Sequence, residues 1–522
     1  MRGERDSRQM SGRAASIVGK LRLLLLFSLV MLVLWWAAPP IAYTLATPGS
    51  GPGGVGVTDG SSTLELWLRP DKGVFVNNDC TGVAGNTNTV GCWQDQSGNA
   101  AHATQSDGGK RPTFNTDSFN GQPALYFNGT EVDALISGSI TLNKFTIFSV
   151  FNRSSDGFVY EQGPDTGYAD GNNLYSQGTD CTTYIRRNAD DPDPDTVSGL
   201  TLEPEWITDT VSAIAVTHVY GGSHDTHTVS RNNLLQGAET CGTASSDPMN
   251  AVVVTQPIYI GARGGNSFQL TGNVAELIFY SEDLPAVQKI LVENYLSSKY
   301  GIGLASNDYY NGDINGDFDL DVAGIGRFDG VSHTEAQAAG MVVQNGTFLV
   351  DNGDWLLFGH NVAQNSNTTS DLPAASPWDT ALDPARWSRS FYFDRTDVGT
   401  TGGTVTLSFD FSDASMSGTP GIAANYRLLS RPNPTDTFSD ITGTCTGGAS
   451  VSGDRVTFSS VNVTCLGSNF TLGTLDRDGS PTAVTLQPIT ATTPGNGLVV
   501  LAACVLTLGL GSLWTCLRHR PE

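Results

Sequence analysis

After residue 60 the chain is dominated by short runs of β-branched and aromatic residues, broken by Gly, Asn, Asp and Ser. LELWLRP (64–70), PALYFNG (123–129), FTIFSVF (145–151), AIAVTHV (213–219), VVVTQPIYIGA (252–262) and NVAELIFY (273–280) form a first set. Successive strand residues face opposite sides, so such stretches separated by turn residues predict an antiparallel sandwich. A second set comprises MVVQNGTFLV (341–350), GDWLLFGHN (353–361), RSFYFDR (389–395), GTVTLSFDFSD (403–413), NYRLLSR (425–431), RVTFSSVNVTC (455–465) and FTLGTL (470–475). It predicts a smaller sandwich of roughly seven or eight strands.

Helical periodicity is confined to SEDLPAVQKILVENYLSSKYGI, residues 281–302. Ser281 is placed to cap it, Glu282 and Asp283 suit its N-terminus, and Val287, Leu291, Tyr295 and Leu296 make an apolar stripe that Gly301 ends. The helix is expected to pack on the last strand of the first sandwich and to mark the domain boundary. Tyr295 and Tyr300 are read as core.

The two ends carry a different pattern. Arg2, Arg5, Arg8, Arg13, Lys20 and Arg22 precede the apolar run LLLLFSLVMLVLWWAA at 23–38, which is the form of an export signal. Residues 1–46 are therefore expected to be a signal peptide cut after Ala46, or else an uncleaved anchor. Leu498 to Leu517 is free of charge and is followed by RHRPE. As a helix it spans about 30 Å, the thickness of a bilayer core, and a basic tail stays on the cytoplasmic side. The expected organisation is a flexible lead-in at 47–60, sandwiches at 61–303 and 304–484, a stalk at 485–497, a transmembrane helix at 498–517 and a cytoplasmic tail at 518–522. That is an all-β ectodomain held on a cell membrane by a single C-terminal pass.

Charge narrows the partners. The chain has 28 Lys and Arg against 52 Asp and Glu, a formal net charge of −24. Both ends are basic, so the exported part is more acidic still. Such a surface repels nucleic acid phosphates and favours cations, basic partners or neutral sugars. Cys504 and Cys516 lie in the C-terminal apolar segment. The other six cysteines are expected to oxidise after export, with sequential pairing Cys80–Cys92, Cys181–Cys241 and Cys445–Cys465, although six cysteines permit other arrangements.

Candidate chemistry is sparse. In NGDINGDFDLD, Asp313, Asn315, Asp317, Asp319 and Asp321 repeat the alternate spacing of calcium-loop ligands. Phe318 stands where an EF-hand needs Gly and Gly324 where it needs an acid, leaving a looser calcium site or a solvated acidic turn. Asp95 and Asn99 offer oxygens to a cation or sugar at the sandwich edge, or else form an Asx-type turn after Trp93. Asp190, Asp191, Asp193 and Asp195 read as a solvated acidic loop, or else as one that attracts calcium. Trp206, with Tyr168, Asn172 and Asn173, is a candidate sugar platform, whereas Trp67 lies within an apolar strand and is expected in the core.

No catalytic residue is assigned. Glu131 and Asp133 lack a third acid, Glu203 and Glu205 flank Pro204, and the seven histidines show no HExxH pairing. No GxSxG elbow, P-loop or dinucleotide fingerprint is present.

LELWLRPDKG, CWQDQSGNAAHATQ with its WxDxSGN element at Trp93 to Asn99, NGQPALYFNG, FTIFSVF and the closing NVAELIFYSEDLPAVQKILVENYLSSKYGI resemble the laminin-G-like, concanavalin-like jelly roll of bacterial surface proteins. The resemblance spans about residues 60–303. It implies two facing antiparallel sheets in a module that binds glycans or proteins, sometimes with a metal at its rim. DINGDFDLDVAGIGRFDGVSH and GDWLLFGHN resemble a companion domain that follows such modules and whose role is obscure. The expected function is non-enzymatic recognition of an extracellular glycan or protein, with a purely structural envelope role as the alternative and a polysaccharide-active enzyme third.

Overall fold

The computed structural model describes residues 49–480, apart from 130–132, 143, 163–170, 178–179, 187–211, 221–224, 232–233, 242–253, 265–266, 313–315 and 417. For strand residues between 171 and 254 only the backbone is described, Leu174 excepted. The expected signal and membrane segments lie outside these residues. Among the described residues no helix is long and apolar enough to cross a membrane.

Four antiparallel sheets build two sandwiches. Strand β1 (Leu64–Leu68) pairs with β2 (Thr271–Tyr280), Trp67 opposite Ile278. From β2 the first sheet continues through Phe145–Ser155, Ser212–Tyr220, Asp225–Arg231 and Leu234–Cys241 on one side, and through Gln122–Phe127 and Thr113–Phe119 on the other. A second eight-stranded sheet packs on it through an apolar core in which Leu277 and Phe279 meet Val159, Tyr160 and Ile258. The Tyr160 and Phe279 rings sit edge to face at 5.1 Å. The alternation read from the sequence is what lets one face of each strand enter this core.

The second sandwich pairs a nine-stranded sheet with a five-stranded one. Its core is aromatic, with Trp387 and Phe409 at 5.3 Å and Phe393 and Phe470 at 5.3 Å. This exceeds the expected seven or eight strands because pairs such as Asn367–Thr368 and Ser439–Asp440 are too short to show a period. One full-length strand also escaped the pattern. β3 (Leu320–Phe328) pairs with β4 (Trp355–His360), so the region read as an acidic turn runs directly into the sheet.

Helix α1 (Ala286–Tyr300) joins the sandwiches and packs along β3. It starts five residues later than the expected Ser281 cap. Ser281 instead donates its hydroxyl to Glu65 Oε1 at 2.7 Å, and Pro285 stands at the cap position. Gly301 ends the helix at φ 64°, its N–H bonded to Ser297 O. Val287, Leu291, Tyr295 and Leu296 are all buried, as the stripe required.

Residues 49–57, expected as a flexible lead-in, are mostly buried and run between the helix and the second sandwich. Gly53 bridges to Ala323, Gln337 N–H donates to Gly49 O at 2.7 Å, and Tyr280 OH donates to Val55 O at 3.1 Å. Glycine serves close approach here: a Cβ on Gly54, at φ +82°, would lie 2.5 Å from the Ala336 Cβ. Val55, Leu291, Val322 and Trp355 belong to one apolar cluster shared by both sandwiches.

Disulfides Cys80–Cys92 and Cys445–Cys465 are formed, with Cα separations of 5.1 and 6.2 Å. Both match the sequential pairing, while the Cys181–Cys241 expectation falls on side chains outside the description.

Candidate functional site

The WxDxSGN element is a clasp. Asp95 Oδ1 accepts from the Trp67 and Ser97 amides at 3.0 and 2.9 Å, and Oδ2 accepts from the Ala101 amide at 3.0 Å and Ser97 Oγ at 2.8 Å. Asn99 Nδ2 donates to Leu64 O at 2.9 Å. Asp95 is thus committed to its own chain in an Asx-type turn, whereas Asn99 is exposed and anchored through its amide nitrogen. A buried carboxylate satisfied by four donors holds β1 in place and has no oxygen to spare.

β1 in turn starts a chain of buried charge. Glu276 on β2 is fully buried and accepts from Trp67 Nε1 at 2.6 Å, Tyr295 OH at 2.8 Å, Tyr300 OH at 2.6 Å and Lys299 Nζ at 2.8 Å. Lys299 also reaches Asp71 Oδ1 at 2.8 Å. Asp71 pairs with Arg69, whose other amino group meets Asp321 Oδ1 at 2.7 Å, and Asp321 Oδ2 accepts from His360 Nε2 at 3.1 Å. Opposite signs alternate from the first sandwich through α1 to Asp321 on β3, where His360 of β4 closes the chain with a hydrogen bond. Asp321 adopts φ +48° at the start of this crossing.

The electrostatics follow from that order. Burial pushes the Asp71 carboxyl up, but Arg69 and Lys299 outweigh it and hold it well below the usual range. Asp321 is likewise raised by burial and brought far down by Arg69, then by His360. Burial lowers His360 against the opposing pull of its bond to Asp321. Trp67 and Tyr295, lying 6.2 Å apart, are core residues as expected, and sequence reasoning missed their shared carboxylate. The only local signal was a Glu inside the apolar run NVAELIFY.

Beside this chain opens a cleft of about 560 Å³, bounded by the lead-in, the β1 turn, α1 and the second sandwich. Its wall presents Lys72, Gln94, Gln96, Gln337 and Ser415, together with Asp71 and Asp321. Arg389 lines it too, but its guanidinium is spent on the carbonyls of Ala339 at 2.6 Å and Ala363 at 2.7 Å. Asp413 accepts from Gly340 N–H at 2.6 Å. Desolvation by neighbouring residues pushes its carboxyl upward, although the residue is exposed. What the cleft offers is a set of fixed donors and acceptors in a volume suited to a small ligand.

Asp313 and Asn315 lie outside the described residues, and both oxygens of Asp321 are taken by Arg69 and His360. Among the described residues no group of three or more His, Cys, Asp or Glu could hold a metal ion. Of the expected sugar platform, Trp206 and Tyr168 lie outside the description. Asn172 and Asn173 fall on strand Gly171–Gln177, opposite Ile185 and Tyr184.

Fold and cleft together define a β-rich double sandwich with a polar interdomain pocket. Residues 288–466, about a third of the chain, match the family described as a domain of unknown function, DUF8202, which takes in most of α1 and the second sandwich. No curated protein sequence matches the chain. Among solved structures it is similar to the CBM40 of a Ruminococcus gnavus IT-sialidase bound to α2,3-sialyllactose. The identity is 13%, over 31% of this chain and 84% of that one, with a TM-score of 0.24. Domain 4 of AbnA, a GH43 extracellular arabinanase from Geobacillus stearothermophilus bound to arabinotriose, shows 13% identity over 44% of this chain and 97% of that one, at 0.30. A GH54 α-L-arabinofuranosidase shows 16% over 54% and 67%, at 0.28. Likeness at this level assigns no ligand to this chain.

Proposed function

We propose that the chain is a membrane-anchored surface protein whose laminin-G-like first sandwich, together with the second, binds an extracellular glycan in the interdomain cleft without catalysis. The observation that carries this reading is the polar wall of the 560 Å³ cleft. A pocket lined by amide, hydroxyl and ammonium groups suits a ligand rich in hydroxyls better than an apolar one, because each desolvated polar atom needs a partner. Anchoring rests on the basic leader and on the charge-free segment 498–517 with its arginine tail.

One observation favours the enzymatic alternative: Asp413 and Asp321 line the same cleft and are displaced in opposite directions. Glycoside hydrolysis needs one carboxyl to donate and another to attack or activate water. Here Asp321 is tied at both oxygens and Asp413 is solvated, so binding is the stronger reading.

The test is a glycan array probed with the full chain in lipid nanodiscs, with calcium and with chelator. Saturable binding of a defined sugar, reduced at least tenfold by Gln337→Ala and Gln96→Ala together, is expected. Absence of binding from folded protein supports the structural envelope role. New reducing ends after long incubation would replace binding with hydrolysis. Binding lost only in chelator would bring calcium in, through Asp317 and Asp319 and their undescribed neighbours.

A further inference from the structure

A second cavity of about 380 Å³ adjoins the cleft, and its chemistry is different. Its walls are Val74, Phe75, Val83, Phe114 and Pro123, and it shares Asp71 and Lys72 with the cleft. The β1 turn therefore forms a common edge, polar on one side and apolar on the other.

The apolar wall is built rather than incidental. Val83 is 81% exposed, yet its backbone bridges to Phe75, and the flanking amides are fixed by Val76 N–H to Gly82 O at 2.8 Å and Ala84 N–H to Val74 O at 2.9 Å. The Cys80–Cys92 disulfide closes the same loop. A large aliphatic side chain held at the surface by a stapled loop carries a desolvation gain that no part of the described chain collects.

We infer that the groove is a subsite for an apolar substituent on the glycan that occupies the cleft, so that the ligand class is a glycoside bearing an aryl, acyl or alkyl group. This rests on the cleft reading given above. The shared edge at Asp71 and Lys72 is the reason for assigning one ligand to both cavities. Asp71 is locked by Arg69 and Lys299, leaving the exposed Lys72 ammonium to meet a polar atom where the two parts of the ligand join.

The experiment titrates the full chain in nanodiscs with matched methyl and 4-nitrophenyl glycosides of common hexoses, pentoses and uronic acids, with 4-nitrophenol as control. For the sugar that binds, the aryl glycoside is expected to bind about tenfold more tightly than the methyl glycoside, as burial of a ring-sized apolar area allows. Val83→Asp, a change at an exposed position, should abolish that increment and leave the methyl glycoside affinity unchanged. Equal affinity for both members of a pair, or an increment that survives Val83→Asp, overturns the subsite while leaving the cleft reading intact. Tight binding of 4-nitrophenol alone also overturns it, because the groove would then act independently. Binding of neither glycoside removes the cleft reading and the subsite with it.

Discussion

The interior of the first sandwich and the Glu276 cluster at the seam joining it to the second are both closed to water, yet they are built from opposite chemistries. Leu277 and Phe279 point into an apolar core, while Glu276, the residue before Leu277, points to the seam and collects four donors. Apolar packing tolerates small shifts, whereas a buried carboxylate bound by an ammonium, an indole and two phenols accepts one geometry. The seam therefore fixes how the sandwiches face each other, and the cleft beside it inherits that rigidity. A buried ion chain is not evidence of high stability, since desolvation offsets most of the attraction.

The largest expected effect breaks the seam. Glu276→Ala leaves Lys299 buried with only Asp71 as counter-ion and strips three further donors, so it should cost about 3–5 kcal/mol in denaturant unfolding. Leu277→Ala, one residue along and facing the core, should cost about 3 kcal/mol through a cavity and leave sugar binding in place. Equal loss of binding in the two variants, each still folded, would erase the distinction between seam and interior.

A smaller effect is expected from Gly54→Ala, which drives a methyl group into Ala336 and forces a strained backbone, at about 1–3 kcal/mol. If the lead-in were flexible, the change would be silent.

Glu293 on α1 sharpens the comparison from the other side. It is buried, its Oε2 lacks a hydrogen-bond partner, and burial raises its carboxyl to about 8, Lys289 opposing only in part. Because the folded value exceeds the ordinary 4.5, its contribution is full below about pH 4.5 and is lost as pH rises through about 8. Glu293→Gln should raise the melting temperature by a few degrees at pH 8, and the gain should vanish near pH 4. Asp71 and Asp321 run the opposite way: their stabilising ion pairs are present above the ordinary carboxylate range and fail only as pH falls far below it. The smallest effect belongs to Lys72→Ala, which should change stability by less than about 0.5 kcal/mol.

Legibility in the sequence divided along the same line. Strands such as Phe145–Ser155 and Tyr426–Arg431 announced themselves through alternation, and the stripe of α1 through its period. β3 did not, because Gly324 and Gly326 interrupt its apolar run and the Asp317, Asp319 and Asp321 series leading into it has the spacing of a calcium loop. The start of α1 was misplaced because Ser281 is drawn to Glu65 across the sheet, a contact with no local signature. The lead-in misled in the same way, since glycine signals freedom in an isolated chain and close approach in a packed one. The charge chain joins Arg69 to Asp321, 252 positions apart, and only folding brings them together.

The most direct test is hydrogen–deuterium exchange of the full chain in nanodiscs, with and without the sugar found to bind. Slowed exchange in both sandwiches at once, at residues 69–72, 94–98 and 337–340, is the predicted result. Protection confined to residues 165–175 and 203–208, with the cleft unchanged, would place the ligand on the rim around Tyr168 and Trp206 and contradict the account.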